Sequence, residues 1–352
     1  MNKFLKILLL PLTVICIASQ YSSAQEDTPG SLQTLADLYS ACKYEEVLAL
    51  SQSLHDTARL SKEQNLQRLK YTVAAYKDFG YRREADSVAR LFYQKDPFYN
   101  VQKDDPLSFM RVLENYYTMP KFSVWAAGGM LLSRPVMHTV RPIIDTVARD
   151  PKYDIKGFSM QIGFEYHPTR ILSISIAPSF AKYKIERTMQ RSELATFRYN
   201  ESSKVLTFPV IVEAGLYVLG DNFVPSVYGG AQVKYIVGTK SNAYTEAIGT
   251  YAEIPDKKDD TGFKNRTNYS VLGGARFNYN LRRITFFLDF GVAYDVKPYN
   301  DPSKKFDDIA LMYQNLYIRD VFRMLEYTMK LGIKVNLQYT TIAKHHYGYK
   351  HK

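Results

Sequence analysis

Lys330-Leu331-Gly332-Ile333-Lys334-Val335-Asn336-Leu337-Gln338-Tyr339 sets an apolar residue at every odd position and a polar residue or glycine at every even one. Side chains alternate across a strand, so Leu331, Ile333, Val335, Leu337 and Tyr339 share one face while Lys330, Lys334, Asn336 and Gln338 share the other. One dry wall and one wet wall suit a sheet that meets hydrocarbon outside and encloses polar groups inside. An open sheet edge cannot lie in lipid, where its amides find no partner, so strands of this kind must close into a barrel.

Seven segments upstream carry the same rhythm, over about residues 121–134, 155–166, 171–187, 204–219, 226–240, 266–279 and from 284 onward; the quoted strand begins near Val321. In the second, Phe158, Met160, Ile162, Phe164 and Tyr166 face outward and Glu165 inward; in the seventh, Phe286, Leu288, Phe290 and Val292 face outward against Asp289 and Asp295. The inward residues include four acids, Glu165, Glu213, Asp289 and Asp295, and four bases, Lys234, Arg276, Lys330 and Lys334. Such groups pair in a low dielectric, and eight strands enclose a space that side chains just fill. The expectation is an eight-stranded antiparallel up-and-down transmembrane barrel over residues 119–340 with a packed polar core and no diffusion pore. Short connections follow strands two, four and six, and long ones follow one, three, five and seven. Short turns of outer-membrane barrels face the periplasm, which places both the preceding segment and the basic tail at 341–352 there.

Residues 1–24 have a basic start (Lys3, Lys6), an apolar run and the small residues Ser22, Ser23 and Ala24, the pattern of a secretory signal peptide. No later stretch approaches the roughly 20 apolar residues of a membrane helix. The net charge of +11 is scattered over loops and turns, not gathered among stacking aromatics. That argues against nucleic acid and for outer-membrane lipid or lipopolysaccharide head groups. Twenty-nine tyrosines against one tryptophan fit rings placed at two water–membrane boundaries.

Between residues 25 and 118 the apolar period is helical: Leu32, Leu35 and Leu38, then Leu66, Leu69, Val73 and Tyr76, then Ala85, Val88, Ala89 and Phe92. Residues 66–97, with Tyr76, Gly80, Ala85 and Pro97, resemble a tetratricopeptide unit, and Leu38, Tyr44 and Val47 a weaker copy. The expectation is an all-α tetratricopeptide-like domain, serving either as a spacer or as a peptide-binding groove. Cys42 reads as a buried helical residue.

Little supports catalysis. His138 and Asp145 share the first long loop without a serine or second acidic pair, and His345, His346 and His351 lie in a lysine-rich tail. The chain reads as a non-enzyme needing no cofactor or metal. Lys330, Gly332, Val335 and Leu337 match the polar, glycine and apolar slots of the terminal-strand signal recognised by outer-membrane assembly machinery, although residues 340–352 follow it.

The junction Asp96-Pro97-Phe98-Tyr99, then Asp104-Asp105-Pro106-Leu107-Ser108-Phe109, Tyr116-Tyr117 and Pro120-Lys121-Phe122-Ser123, is similar to PorT-like outer-membrane β-barrel proteins of Bacteroidota. The resemblance implies a tetratricopeptide-like domain before an eight-stranded barrel and an accessory role in a secretion or assembly complex; it transfers no catalytic residue. The pairing of a solid barrel with a repeat-like helical cap points to anchoring and docking of periplasmic or outer-membrane protein partners. The alternative is ligand binding or adhesion through the long loops, with Tyr244, Tyr251, Tyr299, Tyr313 and Tyr317 as contacts.

Overall fold

The computed structural model describes residues 29–57, 60–139, 152–192, 195–216, 222–247, 250–315 and 317–344. The expected signal peptide, the loop carrying Asp145 and the tail beyond residue 344 lie outside these, as does the side chain of His138. The chain forms two compact units, one from residues up to Thr118 and from Thr341 onward, the other Met119–Thr340.

Five helices precede the sheet: α1 (Pro29–Ser40), α2 (Tyr44–Thr57), α3 (Lys62–Asp78), α4 (Arg82–Lys95) and α5 (Leu107–Leu113). A reciprocal cap starts α3, where the Ser61 hydroxyl accepts from the Gln64 amide and the Gln64 side chain accepts from the Ser61 amide. Gly80, at φ +94°, turns α3 into α4. Leu69, Val73, Ala85, Ala89, Phe92 and Phe109 form one buried cluster and Leu32, Leu35, Val47 and Leu54 another. The expected all-α tetratricopeptide-like domain is overturned. The helices are short, 12, 14, 17, 14 and 7 residues, and the chain is dominated by a single antiparallel sheet of ten strands. Where a third repeat would stack, the seven-residue α5 instead seals Phe109 and Leu113 against Phe92. Cys42 is exposed, at positive φ in the turn after α1, not buried.

Beside α5, the buried Asp105 carboxylate accepts from Lys70 Nζ at 2.6 Å, from the Tyr99 hydroxyl at 2.7 Å and from the Gln102 amide at 2.8 Å. Burial raises its pKa, but Lys70, the Gln102 amide and Tyr99 outweigh burial and hold the carboxyl below its usual range. A depressed carboxylate stabilises the fold above its unfolded pKa of about 3.9, and that contribution is lost as pH falls through the lower folded value. Asp105→Asn is therefore expected to cost about 1–3 kcal/mol near neutrality. Helical melting of the full chain, followed by circular dichroism, should show the gap between the two proteins closing below about pH 3.

The sheet comprises β1 (Tyr116–Thr139), β2 (Lys152–Tyr166), β3 (Leu172–Ile176), β4 (Ser179–Ser192), β5 (Ala195–Gly215), β6 (Phe223–Ala247), β7 (Thr250–Asp259), β8 (Thr267–Leu281), β9 (Ile284–Asp295) and β10 (Val321–Ala343). It closes on itself, since β1 lies between β2 and β10 and the circuit continues through β4, β5, β6, β8 and β9. The expected eight strands are corrected to ten, for two local reasons. Pro178 has no amide to donate and divides the third expected strand into β3 and β4, which share the neighbours β2 and β5. The other addition, β7, pairs along the outer part of β6, within what the sequence presented as a loop. Likewise, residues 195–203 are not loop but ladder, running from Ala195↔Ala247 to Ser203↔Thr239.

Outside, the barrel wears an apolar belt. Ile162 and Met130 are each 64% exposed and Leu331 68%, and Phe158, Phe208 and Phe286 are also exposed. Exposed tyrosines edge it, Tyr235, Tyr269, Tyr294 and Tyr327 towards one end and Tyr166 and Tyr279 towards the other. Soluble monomers do not leave so large an apolar surface in water, and this is the wall of a barrel solvated by lipid. Beyond the belt the polarity reverses: Lys156, Lys182, Lys184 and Lys204 point out, while Ile155, Tyr183, Ile185, Val205 and Ile236 are buried together with Phe322 and Met324. The helix α6 (Ile309–Asn315) contributes Leu311 to a further cluster with Phe197, Tyr199 and Tyr317.

Candidate functional site: the barrel interior

Inward side chains sit in stacked layers, each joining side chains from several strands of the ring. In the first, Lys334 of β10 donates to Glu165 Oε1 of β2 at 3.0 Å, and Ser123 of β1 donates to Asn336 Oδ1 at 2.7 Å. Ser123 Oγ also lies 3.0 Å from His167 Nε2, and Glu165 Oε1 lies 3.6 Å from that same nitrogen. A serine–histidine–acid relay needs the hydroxyl and the carboxylate on opposite imidazole nitrogens. Here both crowd one, so the three residues form a polar brace.

The second layer centres on Arg276, which is 1% exposed. Its Nη1 meets Glu213 Oε2 at 2.5 Å and its Nη2 meets Asp289 Oδ2 at 3.0 Å. The second oxygens are also satisfied, Glu213 Oε1 by Ser226 at 2.6 Å and Asp289 Oδ1 by Tyr228 at 3.0 Å. Aromatic faces flank the guanidinium, with Trp125 at 5.0 Å and Phe287 at 4.7 Å. Those rings meet edge to face at 5.6 Å. Each lies over a glycine on the paired strand, Trp125 over Gly163 and Phe287 over Gly332. A Cβ at either glycine would fall 2.1 or 2.2 Å from the ring.

Lys330 stands apart from the ion pairs and donates to Gln161 Oε1 at 2.9 Å. A cavity of about 60 Å³, lined in part by Gln161, Tyr228, Arg276, Asp289 and Lys330, separates it from the next layer. There Lys234 lies 2.6 Å from both Asp295 and Glu326, and Tyr183 donates to Glu326 at 2.8 Å.

All eight inward charges named from the sequence thus line this interior, and seven of them, all but Lys330, join in ion pairs that also recruit Glu326; Asp289 and Arg276 stand opposite in register. Sequence reasoning overlooked Glu326, although its inward parity with Met324 and Thr328 could have revealed it. It also overlooked the charges nearer the mouth. Lys264 meets Glu201 at 2.5 Å, Arg319 bridges Asp260 and Asp308 at 2.8 and 2.6 Å, and Arg187 meets Asp320 at 2.7 Å. Two of the tyrosines expected as loop contacts are buried here, Tyr299 against Glu201 and Tyr317 beneath Arg187, whereas Tyr313 is 78% exposed. Tyr251 has no described side chain. Among the described residues no group of acids, histidines or cysteines has the spacing of a metal site. Val335 and Leu337 point outward on the belt.

No family model matches the sequence, and a search of curated proteins finds no match. Similar solved structures include the outer membrane protein OprG from Pseudomonas aeruginosa, at 13% identity and TM-score 0.30, covering 62% of this chain and 98% of that one. Others are the outer membrane protease OmpT from Escherichia coli, at 7% identity and TM-score 0.38 over 62% and 98%, and Ail, the attachment invasion locus protein of Yersinia pestis, at 15% and 0.25 over 61% and 99%. Likeness at such scores carries no argument about this chain, whose ring rests on its own strand pairing.

Proposed function

We propose that this protein is a sealed outer-membrane barrel that anchors its helical unit at the membrane and docks partner proteins there, without transporting solutes or catalysing a reaction. The observation that carries this reading is the interior: layered ion pairs crossed by Trp125, Arg276 and Phe287, with a cavity of only about 60 Å³. A channel needs a continuous wet path, and a catalyst needs a group free to take a proton; these layers commit every named charge but Lys330 to ion pairs, and Lys330 is held by Gln161. The apolar belt supports the membrane location, and the short turns support a periplasmic helical unit and C-terminal end. An accessory place in a secretion or assembly complex is what the likeness to PorT-like proteins adds.

Two measurements test it. Proteoliposomes should pass small sugars no faster than protein-free vesicles; solute-dependent swelling would overturn the sealed interior. Affinity purification from native membranes in mild detergent should recover other proteins in fixed proportion. Recovery of the barrel alone would defeat docking.

A further inference from the structure

Just past the belt, the outer wall carries a cluster of cations that is only partly neutralised. Lys182 and Lys184 on β4, Lys204 on β5, Lys240 on β6 and Arg266 before β8 are all exposed and line a cleft of about 620 Å³. Lys182 and Lys204 are directly opposed in the β4–β5 register, where like charges repel. Among the described residues neither of these lysines nor Lys240 has an ion-pair partner, whereas Lys184 has Glu186 at 2.5 Å. The other exposed acid of the cleft, Asp259, stands opposite Lys240 and accepts from the Thr261 amide at 3.0 Å and hydroxyl at 2.5 Å. Five cations therefore face two exposed acids.

The backbone is shaped to gather them. Lys204 pairs with Gly238 and Val205 with Ile236, so Val237 is an inserted bulge residue. Below it, odd residues of β6 such as Val233 and Tyr235 face out; above it, the phase shifts and Lys240 comes to the outer face beside Lys204. Two residues down the strands, about 7 Å away, the exposed Phe180, Leu206 and Tyr235 form consecutive register pairs at the top of the belt. A shelf of positive charge thus sits directly above an apolar wall, which is the template of an anionic amphiphile.

We propose that this cleft binds the phosphorylated headgroup of an outer-leaflet glycolipid, with Lys182, Lys204 and Lys240 on phosphate and the acyl chains against Phe180, Leu206 and Tyr235. The proposal rests on the outer-membrane reading above. Phosphate between the opposed lysines turns their repulsion into charge-assisted hydrogen bonds.

The test compares wild type with the combined variant Lys182→Gln, Lys204→Gln and Lys240→Gln, both full-length in neutral detergent. Binding of bisphosphorylated lipid A, its dephosphorylated form, phosphatidylglycerol and inorganic phosphate is measured by native mass spectrometry. Wild type should hold the bisphosphorylated lipid at least about tenfold more tightly than the variant does, and about tenfold more tightly than it holds the other three ligands. Without lipid the variant should melt no lower than wild type, because repulsion has been removed; with lipid A only wild type should gain. Equal binding by wild type and variant, or equal binding of the dephosphorylated lipid, phosphatidylglycerol or free phosphate, overturns the cleft. Wild type that stays dispersed without detergent overturns the membrane reading and the cleft together, whereas a detergent-dependent barrel with equal binding overturns the cleft alone.

Discussion

Replacing Arg276 with alanine should destabilise the barrel by about 3–5 kcal/mol, because Glu213 and Asp289 would be left charged, buried and without their shared cation. Both carboxylates lose their contacts to the cation, at 2.5 and 3.0 Å, while Ser226, Asn278 and Tyr228 can supply only neutral donors. Trp125 and Phe287 would also lose the group that fills the space beside them. Urea unfolding in lipid vesicles can be followed by tryptophan emission, since Trp125 is the chain's single tryptophan and touches the altered site. Adding Glu213→Gln and Asp289→Asn to Arg276→Met removes the stranded charges and should recover much of the loss. If Arg276→Ala shifted the midpoint no further than a surface substitution does, the central layer would not be the structural lock described.

Gly332→Ala should cost about 1–3 kcal/mol through overpacking, and more if the strands must separate. The new methyl would stand 2.2 Å from the Phe287 ring, which cannot swing away because it is 3% exposed and packed edge to face on Trp125. The same glycine also occupies a slot of the proposed assembly signal formed with Lys330, Val335 and Leu337, so reduced insertion in cells has two explanations. Phe287→Leu separates them: a smaller partner relieves the clash, and Gly332→Ala in that background should cost little. Refolding into vesicles without assembly machinery should show the same relief. A defect that persists in cells in the Phe287→Leu background but is absent on refolding would assign Gly332 to recognition instead of packing.

The lipid-facing stretch was legible because one environment lies on each side of it. From Phe158 to Tyr166 and from Leu331 to Leu337, every outward residue meets hydrocarbon and every inward one a polar layer, so period two is written in hydropathy. Beyond Lys156, Lys182 and Lys204 the period persists but its sense inverts, with Ile155, Tyr183 and Val205 inside. A search for outward apolar positions stops there, which is why residues 195–203 and β7 passed for loop. The eight named charges could be found from parity alone; Lys264, Arg319 and Asp308 could not, because irregular segments carry them in from outside the strand pattern. The helical segment misled in another way. Its spacing was helical, but two half-copies of a repeat do not make the stacked array that such repeats need.

The inversion of polarity along the staves gives the molecule two solvents. Below Lys204 the wall is dissolved in oil around a salt-like centre; above it the same strands form an ordinary water-washed drum with a greasy heart. From Lys204 to Ala195 the ladder climbs roughly 3.3 Å per residue, which at a tilt near 40° lifts its rim on the order of 25 Å clear of the bilayer. Cross-linked by Lys264, Arg319 and Arg187, that rim is a stiff turret, and whatever grips its crown is held at a set height above the lipid.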